Sequence, residues 1–517
     1  MLTILVRGLA PAGAFDAGAV FQVLTRPFVL DVAWFTLWQA VVSTLLTVLV
    51  AMPGAYVFAR FDFPGKRLLS AVALVPFVLP TVVVAAAFLA LVGPRSPLGI
   101  RLDHTIWAIL IAHIFYNYAV VLRVVGGSWA QLDPRLEEAA RVLGASRWQA
   151  FRRVTLPLLS PTILSAAAIV FLFTFTSFGV ILILGGAEFA TLEVEIYRQA
   201  AQLLDLRVAA TLALLQLVAL GALLLVYARV GARRAVATRQ QSSRFGTRAP
   251  GTFAERLFLV LNLAVMALLL GLPLALLVER SLDSGAGYTL QNYVTLFSTT
   301  PSSALFVPPV DALRNSLVFG VVATIVSVTL GLMASQVIAA GRSPLSQAFD
   351  AVLTLPLGTS AVIVGFGLLV SLGTLPVDFR TSPALIPIAH AVVALPFVVR
   401  AVLPVMRAID RRLHEAASVL GASPRRTWRL IDLPIVTRAA LVGAGFSFAV
   451  SLGEFGATLF IVRPDTPTMP IAIFRLLGQP GTLVFGQAMA MATLLMIVTA
   501  AAVLVIDRFR VASAGPI

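Results

Sequence analysis

The chain has 517 residues, of which 59% are apolar and only 12% charged, and its mean hydropathy is +0.97. Because a soluble globular domain carries about 25% charged residues, this composition excludes a soluble enzyme and a disordered chain. It predicts an all-α polytopic membrane protein. The net charge of +15 does not indicate a nucleic-acid partner, because the basic residues lie between long apolar runs rather than on one face or arm.

Eleven apolar stretches are long enough to cross the roughly 30 Å core of a lipid bilayer as helices. Five of them precede a polar segment and six follow it. In chain order they cover residues 33–59, 68–92, 105–125, 160–184 and 208–228, then 257–278, 312–339, 350–373, 383–406, 437–461 and 483–506. The sequence therefore predicts about 11 transmembrane helices in a 5+6 arrangement.

The basic residues indicate how these helices are oriented. The loops on one side of the predicted membrane hold 27 of the 38 Lys and Arg residues. The positive-inside rule places that side, together with the C-terminus, in the cytoplasm of a bacterial inner membrane. Residues 3–18 resemble the exit of the sixth span at 274–287, so we expect the first helix of the first half to be missing or truncated, or Met1 not to be the natural start.

The two halves are copies of one unit at an offset of 277 residues. At this offset His113 corresponds to His390, and the stretch VLGAS recurs. Equivalent loops fall on the same side of the membrane, which predicts a parallel repeat whose pseudo-two-fold axis lies along the membrane normal. We assign residues 1–230 to the first repeat, 231–256 to a basic cytoplasmic linker and 257–517 to the second repeat. A pathway is expected between the two bundles.

One cytoplasmic loop is repeated in both halves, at residues 133–161 and 410–438. Gly144 is expected to end a short helix with a positive φ, and Ser146 to cap a second helix. Pro157, and Pro434 in the second half, are expected to stop that second helix near the membrane surface. The result is a helix–glycine–helix element outside the bilayer. A generic amphipathic connector on the membrane is the alternative, but it does not explain the duplicated spacing.

This loop resembles the EAA signature of permease subunits of binding-protein-dependent ABC importers. The matching residues are Glu138, Ala139, Ala140, Gly144, Leu156 and Pro157 in the first half and Glu415, Ala416, Ala417, Gly421, Leu433 and Pro434 in the second. The resemblance implies two tandem type-1 ABC permease bundles whose loops couple to two cytoplasmic ATPase subunits. It also implies an extracytoplasmic solute-binding protein as a partner.

Neither ATP hydrolysis nor any other catalysis is predicted in this chain. A phosphate-binding loop GxxxxGK[ST] needs a lysine followed by Ser or Thr, whereas the only lysine, Lys66, is followed by Arg67. Mg-ATP is therefore expected on the partner ATPases, and this chain is expected to bind no cofactor. Cysteine is absent and the four His residues lack metal-ligand spacing, so no metal site is predicted.

The solute is predicted from resemblance alone. Fused double permeases of this length are similar to those for thiamine and ferric iron, and residues 175–200 and 207–217 look most like the thiamine type. The predicted solute is thiamine or its phosphates; ferric iron or another small ion is the alternative.

Glu454 is the one carboxylate that we expect to be even partly buried, and its counterpart is Ser177. Facing the pathway, Glu454 would attract a cation; the alternative is a helix-end residue that is paired locally. His113 and His390 are expected to form hydrogen bonds between helices. An ion-coupled secondary transporter would need several buried carboxylates, and an intramembrane enzyme a cluster of nucleophiles, so both classes are disfavoured.

Overall fold

The computed structural model describes residues 17–234 and 247–513, apart from residue 286 and residues 299–304, 342, 344–345, 347, 351–352, 354–359 and 373–381. The expectation of a missing or truncated first helix concerns mainly residues 1–16, which lie outside the described residues. So does the middle of the predicted linker. The repeat boundaries at 230 and 257 stay predictions.

The described residues form helices and no β-strand, which confirms the all-α membrane fold. The helices of the first half are α1 (Ala17–Leu24), α2 (Pro27–Arg60), α3 (Lys66–Val72), α4 (Val75–Val78), α5 (Thr81–Val92), α6 (Ile106–Ala130), α7 (Arg135–Val142), α8 (Arg147–Ala150), α9 (Leu156–Phe175), α10 (Gly179–Leu184), α11 (Leu192–Tyr197) and α12 (Leu206–Arg234). Those of the second half are α13 (Phe253–Met266), α14 (Leu272–Leu282), α15 (Gln291–Val294), α16 (Pro309–Ala340), α17 (Ala361–Leu372), α18 (Leu385–Ala408), α19 (Arg411–Val419), α20 (Pro424–Thr427), α21 (Leu433–Gly453), α22 (Thr458–Ile461), α23 (Met469–Leu477) and α24 (Thr482–Ser513).

Within the described ranges, nine helical segments are long and apolar enough to cross a membrane. Their outer faces carry large apolar side chains that a soluble protein would bury: Trp34, Leu49 and Leu268 are 65%, 71% and 62% exposed. Lipid is the environment that such faces require. The buried apolar core is continuous between the two halves.

Two of the eleven predicted spans take a different form. The predicted span 68–92 is bent by 101° between Lys66–Val78 and Thr81–Val92. The bend falls where Leu79 is extended, because a residue that precedes a proline is pushed out of the helical region. In place of the predicted span 350–373, the described residues contain only the twelve-residue α17; much of the preceding segment lies outside them.

Pro157 and Pro434 do not end their helices, so that prediction is wrong. A π-helical turn precedes each proline, at Phe151–Thr155 and Trp428–Asp432. Such a turn shifts the backbone hydrogen bonds to i→i+5, and the ring then avoids the carbonyl with which it would clash in an α-helix. The helices therefore run on, as segments Arg147–Phe175 and Pro424–Gly453.

The predicted spans 160–184 and 437–461 end too late for the same pair of helices. The chain leaves helical geometry after Phe175 and after Gly453 and then forms the short helices α10 and α22. Thus each half carries a broken helix at the same position of the repeat.

Both repeated loops lie at one end of the molecule, which we call the loop end. Two helices in each half run parallel toward it, α2 with α6 and α16 with α18. The contacts that fix these directions are Ser43 with His113 and Ala55 with Gly126 in the first half. In the second half Gly331 lies against Val398, and further along the two helices Ile338 and Leu403 share one buried apolar cluster. Helices α13 and α14 form one continuous segment, Phe253–Leu282. It starts at the loop end, where Phe258 packs on Tyr56 of the first half, and runs to the opposite end.

The end of the linker is attached to the first half at the loop end. The Arg248 N–H donates to the Arg60 carbonyl at 3.2 Å, and the Arg60 guanidinium donates to the Leu132 carbonyl at 3.1 Å. Glu255 accepts hydrogen bonds from Arg248 and thereby raises the pKa of that guanidinium. The basic segments 60–67, 123–153 and 248–256 therefore meet at one end of the molecule, as the arginine distribution predicts.

Candidate functional site: two repeated loops and the interface between the halves

The two loops have the geometry that their glycines and caps predict. Gly144 and Gly421 have φ values of +88° and +75°, a region that L side chains rarely adopt. Ser146 and Gln149 form a capping box at the start of α8, and Ser423 caps α20 through the Arg426 N–H. Each loop is thus two helices joined by a bend that requires glycine.

The predicted coupling residues form matched exposed surfaces in the two halves. Glu138 and Ala139 are exposed and Ala140 is half-buried, and the same holds for Glu415, Ala416 and Ala417. Leu156 and Leu433 are half-buried, whereas Pro157 and Pro434 are exposed at the start of the long helices. Contact of these residues with an ATPase stays a prediction.

Four residues that the sequence analysis did not select are the most exposed large apolar residues of the loops. Val142 and Leu143 are 86% and 88% exposed, and their counterparts Val419 and Leu420 are 88% and 85% exposed. Exposed apolar groups at identical repeat positions outside the spans are candidates for a surface that contacts a protein partner. The signal was already present in the sequence, because the same Val-Leu pair directly precedes the bend glycine in both halves.

Each loop is tied to the following π turn by an equivalent contact of different chemistry. In the first half the Thr155 hydroxyl donates to the Glu137 carboxylate. In the second half the carboxylate of Asp432 lies 2.8 Å from the Nε2 atom of His414. The two pairs occupy equivalent positions at the offset of 277 residues. The carboxylate belongs to the loop helix in the first half (Glu137) and to the π turn in the second half (Asp432). In both halves, therefore, a side-chain contact connects the short loop helix to the start of the long helix that follows it.

At the interface between the halves, equivalent aromatic rings meet. Phe178 stacks on Phe455 with ring centroids 5.5 Å apart, and both are buried. Each ring also makes an edge contact inside its own half, Phe178 with Tyr197 at 5.8 Å and Phe455 with Phe474 at 5.3 Å. Because a two-fold axis exchanges equivalent residues, the pseudo-two-fold axis passes between Phe178 and Phe455.

Beside these rings, each half has a buried histidine that joins helices, as predicted. The His113 nitrogens lie 2.9 Å from the Ser43 and Ser177 hydroxyls. The His390 nitrogens lie 2.7 and 2.8 Å from the Ser451 and Thr458 hydroxyls. Ser177, one of the two predicted path residues, is thus a partner of the histidine.

Glu454, the other predicted path residue, is buried at the break after α21. Its carboxylate accepts the backbone N–H groups of Ala457 and Thr458 at 2.8 and 2.9 Å and lies 3.5 Å from the His390 Nε2 atom. These contacts cap the short helix α22. They agree with the alternative expectation, in which Glu454 is a helix-end residue that is paired locally. A role for Glu454 or Ser177 in the solute path stays a prediction.

Glu454 is not alone among buried carboxylates, so the expectation that no other carboxylate is even partly buried is wrong. Glu193 is fully buried and Glu195 is 8% exposed, both on α11. Hydropathy assigned residues 185–207 to an outer loop, whereas the structure folds α11 back between the halves. There the Glu193 carboxylate accepts hydrogen bonds from Gln216 of its own half and Ser360 of the other.

A cavity of about 440 Å³ opens between the halves at the end opposite the loops. Apolar residues from both halves line it, among them Leu89 and Phe474, together with Arg95, Asp103 and His104. The Arg95 guanidinium lies 4.7 Å from the centre of the Phe485 ring, so it joins the first half to the start of α24.

The chain resembles known transport proteins over most of its length. Residues 28–237 match the family of binding-protein-dependent transport system inner membrane components. The chain is 28% identical to the thiamine transport system permease protein ThiP of Brucella abortus (strain 2308), over 96% of this chain and 90% of that protein. It is 26% identical to ThiP of Escherichia coli (strain K12), over 86% and 83%. A shorter match, 32% identical over 32% of this chain, is to the sulfate transport system permease protein CysT of Escherichia coli (strain K12).

Proposed function

We propose that this chain, which is an inner-membrane permease of the binding-protein-dependent type, forms by itself the complete solute pathway of an ATP-driven importer. Two similar helical bundles are needed to enclose a pathway, and this chain supplies both. The Phe178–Phe455 contact carries the proposal, because equivalent positions of the two halves meet there at their interface. A solute that moves along the pseudo-two-fold axis must separate the two rings.

The force for that separation is proposed to enter through the two loops. Val142 and Leu143, with their counterparts in the second half, offer exposed apolar surface at the loop end. Two ATPase subunits, one on each loop, would cover this surface. The Glu137–Thr155 and His414–Asp432 contacts transmit a displacement of the loop to the long helix behind it.

The solute is proposed to enter at the opposite end, from a separate binding protein. The cavity beside Arg95 and Phe485 lies at that end, and residues of both halves line it. Thiamine or its phosphates are the proposed solutes, because long relatives that match nearly the whole chain are named for thiamine transport. The sulfate permease matches only a third of the chain, so that match supports the shared fold and not the solute.

Reconstitution tests the proposal. The permease would be assembled in proteoliposomes with its ATPase and its solute-binding protein. Uptake of radiolabelled thiamine would then be measured with and without ATP. We expect ATP-dependent uptake that requires all three components. Uptake without the ATPase, or ATP-dependent uptake of ferric iron but not thiamine, would contradict it.

A further inference from the structure

The segment that carries Glu193 is held firmly in the first half. The Thr191 hydroxyl donates to the Ser177 carbonyl at 3.1 Å, and the Leu192 N–H donates to the Thr36 hydroxyl at 2.9 Å. Both anchors are buried. The position of Glu193 is therefore set by its own half, whichever way the other half moves.

One face of α11 is directed at the second half. Glu193 contacts Ser360 there, and Tyr197, one helical turn further on, packs its ring on Phe460 with centroids 5.6 Å apart. The Ser360 hydroxyl donates to Glu193 and accepts the Val362 N–H at 2.9 Å, so it also caps α17. When the halves separate, the Ser360 bond is the one that Glu193 must lose.

A buried carboxylate that loses its donor needs another one. Leaving a charged acceptor unpaired in an apolar interior costs several kcal/mol. Gln216 still donates to one carboxylate oxygen, and its own amide oxygen is buried without a hydrogen-bond partner. The separated state thus offers two oxygens, from Glu193 and Gln216, to a donor that enters between the halves.

The neighbouring groups indicate what kind of donor fits. The ring of Tyr197 contacts Phe178 in its own half and Phe460 in the other, so aromatic rings from both halves lie at this part of the interface. Aromatic faces attract organic cations. A dehydrated inorganic cation would need several oxygen ligands. One carboxylate beside aromatic rings is suited to a flat organic cation that also carries N–H donors.

We propose that Glu193 recognises an organic cation as it passes between the two halves, taking the place of the Ser360 hydroxyl with a donor of the solute. This assignment rests on the proposed function, because it requires that the imported solute be a cation.

The matched control is Glu195, two residues further along α11. It is also buried, but its partners Gln199, at 2.7 Å, and Arg198, at 3.8 Å, belong to its own half. Glu193→Gln and Glu195→Gln therefore remove the same charge from the same helix, and only the first removes it from the interface.

The experiment measures labelled thiamine taken up per ATP hydrolysed in the reconstituted complex. For Glu193→Gln we expect ATP hydrolysis, stimulated by the loaded binding protein, to continue while thiamine per ATP falls about tenfold or more, as expected for one hydrogen bond to a charged group. Glu193→Asp should recover part of the loss. Glu195→Gln and Ser360→Ala should stay within about twofold of the wild type.

Each other outcome has a defined meaning. Unchanged thiamine per ATP in Glu193→Gln overturns the inference, as does an equal loss in Ser360→Ala, which would make the contact a structural clasp. If Glu193→Gln fails to assemble, Glu193→Asp decides, and a wild-type ratio in that variant overturns the inference. A wild-type complex that imports no thiamine contradicts the proposed function itself and is recognised before any variant is compared.

Discussion

Phe178 and Phe455 are the same residue of the repeat, and each is the other's stacking partner across the interface. Contact between equivalent residues requires that both halves present the same surface at the axis. Because both side chains are buried, the two halves are in contact at the position of these rings. If the solute passes between the halves as proposed, this symmetric contact must break.

Cross-linking this pair should stop transport. The chain has no cysteine, so Phe178→Cys combined with Phe455→Cys introduces the only two thiols. After treatment with a short bis-maleimide we expect uptake to be abolished while ATPase binding remains, because the halves can no longer separate. Phe171→Cys with Phe175→Cys is the matched control, since those rings stack at 5.6 Å within one helix. Uptake that survives cross-linking at 178 and 455 would place the pathway elsewhere.

Gly144→Ala should weaken the binding of the ATPase. The added methyl group meets no atom within 4 Å, so its effect comes from the φ of +88° alone. Left-handed geometry costs a residue with a side chain roughly 1–2 kcal/mol, which corresponds to about a tenfold loss of affinity if binding needs this geometry. Titration of the solubilised permease with ATPase measures it. Gly127→Ala also meets no atom but has no positive φ, and it should bind normally. Equal affinities in the two variants would argue against a required bend.

Replacing the exposed apolar pair should remove one ATPase contact. Each apolar side chain that becomes buried contributes about 1.5–3 kcal/mol, so Val142→Ser with Leu143→Ser should lower affinity at that loop by about a hundredfold or more. The fold should be unaffected, because both side chains are exposed. Leu203→Ser, which changes a 66% exposed leucine at the opposite end, is the control. The surface is not a docking site if the double variant retains two ATPase subunits.

The contacts behind the two loops can be exchanged. His414→Glu alone places a carboxylate against Asp432 and should destabilise the second loop by about 1 kcal/mol or more. Adding Asp432→Thr recreates the Glu–Thr pair of the first half and should restore stability and uptake. The measurement is a double-mutant cycle on thermal unfolding and on thiamine uptake. Additive losses in the double variant would show that the two positions do not interact.

Glu454→Gln should affect stability more than transport. An amide has one acceptor oxygen, so it leaves one of the two N–H groups of Ala457 and Thr458 without a partner, at a cost of about 1–3 kcal/mol. Thermal unfolding should therefore shift while thiamine per ATP does not. The exposed Glu188→Gln is the control. The reverse pattern, unchanged unfolding with less thiamine per ATP, would make Glu454 the path residue that its sequence context suggests.

The sequence predicts those features that depend on local chemistry. The bends at Gly144 and Gly421, the capping serines and the histidine bonds follow from residue type and repeat position. It does not predict the π turns before Pro157 and Pro434, because a proline normally ends an α-helix and only the surrounding packing selects the alternative.

Glu193 was missed for a different reason. Its segment is too short and too polar to register as a span, and its burial comes from helices distant in the chain. Hydropathy measures only the neighbours in sequence. The broken helices after Phe175 and Gly453 escaped notice likewise, because the apolar run continues across each break.

The two π turns have a mechanical consequence. Because neither proline interrupts its helix, Arg147–Phe175 is a single rod of 29 residues, about 43 Å long at 1.5 Å per residue. One continuous helix therefore connects the loop end with Phe175, two residues before Ser177. The first break after the loop therefore lies beside the Phe178–Phe455 pair, so in the proposed mechanism a displacement of the loop would act where the two halves touch.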